Sequence, residues 1–103
     1  MAKIIFRQKA IDDLNAIWNY TFEKWSELQA DKYYFALKFD CSQISKNPQL
    51  GKKYDEIRKD LFGLKSGRHI IFYQAISEDE IEIIRILHEQ MDLKSRIMEY
   101  RQK

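Results

Sequence analysis

The sequence predicts an α+β fold: an N-terminal strand, an antiparallel helical hairpin, a three-stranded antiparallel meander completing one small twisted sheet, and a short C-terminal helix. Three observations carry this expectation. The hydrophobic period changes from a short apolar run to helical spacing after residue 8, and stays helical for two segments. A serine with N-cap character stands where those two segments meet, with no polar linker between them. Beyond the only proline, short β-branched and aromatic runs follow one another at turn spacing, the pattern of a meander.

Each element has its own warrant. Lys3 to Arg7 is apolar and too brief for a helix, so it reads as a first strand. Ile11, Leu14, Trp18, Phe22 and Trp25 recur at helical spacing, with Asp12, Asp13, Asn15 and Asn19 on other faces, giving an amphipathic helix from about Lys9 to Trp25. Ser26 with Gln29 three residues on has the spacing of a capping box and starts a second helix. Ala30, Tyr34, Leu37, Cys41 and Ile44 form its stripe, and Asn47 before Pro48 ends it, because the residue before proline is pushed out of the helical region. Trp18, Trp25 and Tyr34 are expected where the two stripes face each other, and these three join Phe72 and Tyr73 as expected core aromatics. NPQLGKKYDEIRKD reads as a loop or a short turn of helix. Leu61 to Leu64, Arg68 to Ile76 and Glu80 to Leu87 are the three strands, punctuated by Gly67 and the turn SEDE. A final helix starts at Asp92, with Leu93, Ile97, Met98 and Tyr100 among basic residues.

Length and composition narrow the function classes. A chain of 103 residues, 45% hydrophobic and 14% aromatic, supports one domain with its own core. It has no apolar stretch near the ~20 residues that a membrane-spanning helix needs, and MAKIIFRQKA lacks the apolar region of a secretory signal, so the chain reads as cytoplasmic. One cysteine, Cys41, and two histidines offer neither an internal disulfide nor a metal-ligand cluster at the usual spacings, and no cofactor or metal is expected. A net charge of +2 with pI near 8.6 is too mild to announce a nucleic-acid binder. The charge is nevertheless segregated: Lys46, Lys52, Lys53, Arg58, Lys59, Lys65 and Arg68 gather mid-chain, and Glu78, Asp79, Glu80, Glu82, Glu89 and Asp92 surround a single cation, Arg85.

That cation interrupts the run EIEIIRILH. Ile81, Ile83, Ile84, Ile86 and Leu87 suit a strand covered on both faces, where a guanidinium cannot shed its charge. Arg85 must therefore be paired with an acid, led out to water, or offered to an anionic partner.

AIDDLNAIWNYTFEKWSELQAD, NPQLGKKYDEIRKDL, GRHIIFY and IIRILHEQMD, in that order over nearly the whole chain, resemble the ParE branch of the RelE/ParE superfamily of toxins from bacterial toxin–antitoxin modules. The resemblance implies a compact α/β toxin silenced by a co-expressed antitoxin. It also implies a target: ParE-branch members act on DNA gyrase, stabilising its cleaved-DNA state, whereas RelE relatives cut mRNA on the ribosome. Metal-free RNA cleavage needs cations for the phosphate together with a general acid and base. Lys52, Lys53, Arg58, Lys65, Arg85 and His88 are the candidates for that alternative. Arg85 falls where the superfamily's phosphate-contacting strand arginine would be, but His88 should point to the opposite face unless the strand ends or bulges there. RILH follows the ParE branch, and inhibition by binding requires no catalytic residue. For that reading Arg85, His88, Lys94, Arg96 and Arg101 are the candidate target contacts.

The antitoxin is the second expected partner. A helical hairpin with an apolar groove, beside a sheet with a free edge, invites an acidic-apolar segment to add a helix and a strand. Ile11, Tyr20 and Phe22 on the first helix, with Phe35 and Phe39 on the second, are the candidate contacts, because Tyr33, Tyr34, Phe35 and Phe39 cannot all face one core.

Overall fold

The computed structural model describes residues 1–101, with side chains as far as residue 97. Strand β1 (Lys3–Phe6) leads into helices α1 (Gln8–Lys24) and α2 (Glu27–Lys46). Strands β2 (Lys52–Lys53), β3 (Phe62–Ser66), β4 (His69–Ser77) and β5 (Glu80–His88) follow, and helix α3 (Leu93–Arg101) comes last. The five strands form one sheet in the order β1-β5-β4-β3-β2. β3, β4 and β5 are the expected antiparallel meander. β1 joins it parallel to β5, pairing Lys3 with Glu80 and Phe6 with Ile83. The predicted loop holds one element that its composition conceals: Lys52 and Lys53 pair with Gly63 and Phe62 as a two-residue edge strand.

The helix boundaries follow local chemistry. Ser26 Oγ accepts from the Gln29 backbone N–H at 3.1 Å, so the capping serine starts α2 within two residues of the end of α1. Asp92 starts α3 in the same way, accepting from the Ser95 backbone N–H at 3.2 Å and its hydroxyl at 2.8 Å. Across the hairpin, the Trp18 indole N–H donates to Asp31 at 3.0 Å. Trp25, however, is 75% exposed. It is the C-cap of α1 and has left the stripe that the helical period assigned to it.

Both faces of the sheet are covered. α1 and α2 close over Ile71, Tyr73, Ile81, Ile83 and Ile86, with Ala10, Leu14, Leu37, Cys41 and Ile44 from the helices. Against the other face, Leu61, Ile70, Phe72, Ile84 and Leu87 pack with Ile97 of α3, bordered by Tyr54, Ile57 and Leu93. This explains the near-continuous aliphatic run in β5. Its alternation is broken by a bulge: Phe72 pairs with Arg85 but Tyr73 with Ile83, leaving Ile84 as an extra residue. Odd-numbered Ile81 and Ile83 therefore face the hairpin before the bulge, and even-numbered Ile86 does so after it. Tyr73 ties the segment after α2 to the sheet, donating to the Pro48 carbonyl and accepting from the Gly51 N–H, each at 2.8 Å.

Candidate functional site

β1 accompanies β5 only as far as Ile83, so beyond that point the outer edge of β5 lacks a strand to accept its N–H groups. Asp13 of α1 fills this role. Its Oδ2 accepts from the Ile86 backbone N–H at 2.9 Å and from Arg85 Nε at 2.9 Å, while its Oδ1 accepts from a terminal guanidinium nitrogen of Arg85 at 2.9 Å. Only 11% of the Arg85 side chain and 14% of the Asp13 side chain is exposed. Of the three fates open to Arg85, the fold adopts pairing. A bidentate carboxylate occupies the guanidinium fork, which gives Arg85 a partner within the fold.

The bulge also moves His88. Because Ile84 precedes Arg85 and the pairing from Arg85 to His88 is regular, His88 keeps the expected opposite face from Arg85, and the bulge places it on the hairpin side, paired in register with His69, the two rings 5.3 Å apart. Tyr33 of α2 meets this pair. Its hydroxyl lies 2.8 Å from His69 Nδ1, accepts from the Arg68 backbone N–H at 2.8 Å and is 3.4 Å from the Ser66 carbonyl. His88 Nδ1 accepts from the Gln90 backbone N–H at 3.1 Å. Burial, followed by the neighbouring His88, pushes the His69 imidazole down to about 4, against the opposing pull of Asp13 and Glu89. The Tyr33 phenol is raised, chiefly by burial. Gly67, at φ +60°, makes the turn under this cluster, and a Cβ there would stand 2.6 Å from the Tyr33 hydroxyl.

The pairing of the two histidines was legible in principle. Eight steps back from Ser77 and eight on from Glu80, across the two-residue turn, lead to His69 and His88. Tyr33 carried no comparable signal. The three residues open on a cleft of about 740 Å³, walled by Ile17, Tyr20, Trp25, Arg68 and Met91.

The other predicted residues are dispersed. Lys94 and Arg96 are exposed on α3, which covers the sheet face opposite His88, so the target-contact candidates form no single patch. The Arg101 side chain, with those of Met98 and Tyr100, lies outside the described residues. The cations proposed for RNA cleavage do not converge either. Lys52 and Lys53 lie on β2, three strands from β5 and so roughly 14 Å away at the usual spacing. Lys53 pairs with Asp60 at 3.9 Å and Lys65 with Glu89 at 3.0 Å, while Arg58 hydrogen-bonds Gln74. The five hairpin candidates do reach solvent: Ile11 is 38% exposed, Tyr20 62%, Phe22 45%, Phe35 65% and Phe39 61%.

Comparison with known proteins places this geometry. Residues 4–93 match the family model described as the ParE toxin of the type II toxin–antitoxin system parDE. Toxin ParE1 of Mycobacterium tuberculosis is 35% identical over 80 residues, spanning 78% of this chain and 82% of that protein. Toxin ParE1 of Caulobacter vibrioides is 30% identical over 90 residues, spanning 87% and 92%. A solved structure titled as the chromosomal ParDE system from P. aeruginosa superposes with a TM-score of 0.74 over 85% of this chain and 96% of that one, at 18% identity, a likeness of fold. With the helical hairpin, the meander and nearly the whole length matched, the chain belongs to the ParE toxin family of type II toxin–antitoxin systems.

Proposed function

We propose that this toxin acts by binding, with DNA gyrase as its target, and that a cognate antitoxin silences it by covering the outer face of the helical hairpin. The observation that carries the antitoxin half is the exposure of Ile11, Phe22, Phe35 and Phe39, with Leu28 a further 66% exposed residue on α2. Phe35 and Phe39 lie four residues apart, and Leu28 seven before Phe35, so they share one face of α2 and make a stripe that an amphipathic segment can cover. Such an array is uncommon on a chain that works alone. The gyrase half rests on the ParE-branch resemblance, and the dispersal of Lys52, Lys53, Arg58 and Lys65 favours it over mRNA cleavage, which requires convergent groups. Target contact is assigned to Lys94 and Arg96, with Arg101 beyond them and His88 on the other face.

Two assays test the reading. Purified toxin should increase gyrase-dependent DNA cleavage and leave translated mRNA intact; mRNA cleavage with gyrase unaffected would overturn the target. Phe35→Ala and Phe39→Ala should weaken antitoxin binding with little change in melting temperature, and unchanged affinity for both would remove the proposed antitoxin surface.

A further inference from the structure

The neighbours of His88 determine its tautomer, and those of His69 favour the same one. The Gln90 backbone N–H can only donate, so His88 Nδ1 is an acceptor and the neutral ring carries its proton on Nε2. At His69, the Tyr33 hydroxyl accepts from Arg68 N–H and has one proton to give, either to Nδ1 at 2.8 Å or to the Ser66 carbonyl at 3.4 Å. The shorter contact favours Nδ1 as the acceptor, which leaves the His69 proton on Nε2. Neither Nε2 has a hydrogen-bond partner among the described residues, and no buried side-chain nitrogen or oxygen there is left unsatisfied, so both N–H groups reach solvent. A metal ion would need the Nε2 lone pairs and hence the opposite tautomers. This site is built for an acceptor.

The surroundings say which acceptor. The charged residues lining this cleft and the shallower one beside it are Arg68 and Lys32, with no acidic residue among the lining. Asp13 and Glu89 lie within electrostatic reach of His69, but Arg85 and Lys65 hold them. The walls are apolar and open, with Tyr20 62%, Trp25 75% and Met91 44% exposed. Two cations are few for a phosphate backbone, whereas a carboxylate flanked by apolar side chains fits both the charge and the walls. We propose that the paired Nε2–H groups of His69 and His88 bind a carboxylate of the cognate antitoxin, whose neighbouring apolar side chains seat against Tyr20, Trp25 and Met91. This rests on the antitoxin reading above and adds a second contact, on the opposite flank of α1 from Ile11 and Phe22.

The test uses the full chain labelled with 15N, reading imidazole Nε2–H signals on addition of antitoxin, of a short single-stranded oligonucleotide, and of Zn²⁺ alone. Affinity for the antitoxin is measured for Trp25→Ala and His88→Phe. Both Nε2 protons should move downfield with antitoxin only, and each variant should bind roughly tenfold or more weakly, as for losing a hydrogen bond to a charged group. Full affinity in both variants, or imidazole signals that respond instead to oligonucleotide or Zn²⁺, would overturn the carboxylate site. If Phe35→Ala still weakens binding in that case, the hairpin surface stands and the cleft alone falls. Failure of the unaltered chain to bind any antitoxin would overturn both.

Discussion

Asp13→Ala is the sharpest probe of how this fold accommodates a permanent cation. The substitution removes the bidentate partner of Arg85 and, at the same stroke, the acceptor of the Ile86 N–H at the uncovered edge of β5. Removing one member of a buried ion pair costs about 3–5 kcal/mol, mostly because the remaining charge is stranded. Both side chains keep a little exposure and Arg85 has a further interaction, so the lower end, about 3 kcal/mol, is expected. Against a total of about 5–15 kcal/mol this is a large fraction, and for a domain of this size it lowers Tm by on the order of 15 °C. Urea unfolding at pH 7 should show the midpoint falling with the slope unchanged. Asp13→Leu combined with Arg85→Met should recover part of the loss, since no charge is then stranded, while the orphaned Ile86 N–H still costs about 1 kcal/mol or more. A loss below about 0.5 kcal/mol for Asp13→Ala would refute the argument and return Arg85 to the candidate target contacts.

Other perturbations address the histidine cluster. Gly67→Ala forces a side chain into a left-handed turn and against the Tyr33 hydroxyl, so thermal melting should show about 2–3 kcal/mol of destabilisation; a change within about 0.5 kcal/mol would mean that the turn yields freely. His69 adds a pH dependence whose sign follows from its depressed folded value. It stays neutral in the fold down to about 4 but takes up a proton on unfolding below about 6.5, so stability should fall as pH drops through that window and level off beneath it. Burial sets most of this value, His88 lowers it further, and Asp13 and Glu89 oppose both. His69→Gln should flatten this part of the stability profile, and an unchanged slope would contradict the assignment.

Much of the fold was readable before any coordinates, and the reason is locality. The change of period after β1, the Ser26 cap and the Asn47–Pro48 stop act over a few residues, so the sequence by itself determined where the helices and the three meander strands lie. It also indicated that some of Tyr33, Tyr34, Phe35 and Phe39 must reach the surface, since one helix cannot bury all its faces, and Phe35 and Phe39 are the exposed ones. A two-residue strand such as β2 has no period of its own and exists only because β3 offers it an edge.

What the tertiary structure alone decided is which distant groups meet. Arg85 had several acidic residues nearby in sequence, yet its partner is Asp13, 72 positions away, because the end of β1 at Phe6 leaves a gap on β5 that α1 crosses. The bulge at Ile84 turned His88 to the hairpin side, and α2 then brought Tyr33 to the histidine pair. Trp25 shows the converse: helical spacing assigned it to the interface, but the helix ended at Lys24 and left it in solvent. Local patterns specify elements because their energies arise between near neighbours, whereas charge pairing and strand-edge capping depend on packing order, which a linear pattern of residues does not contain.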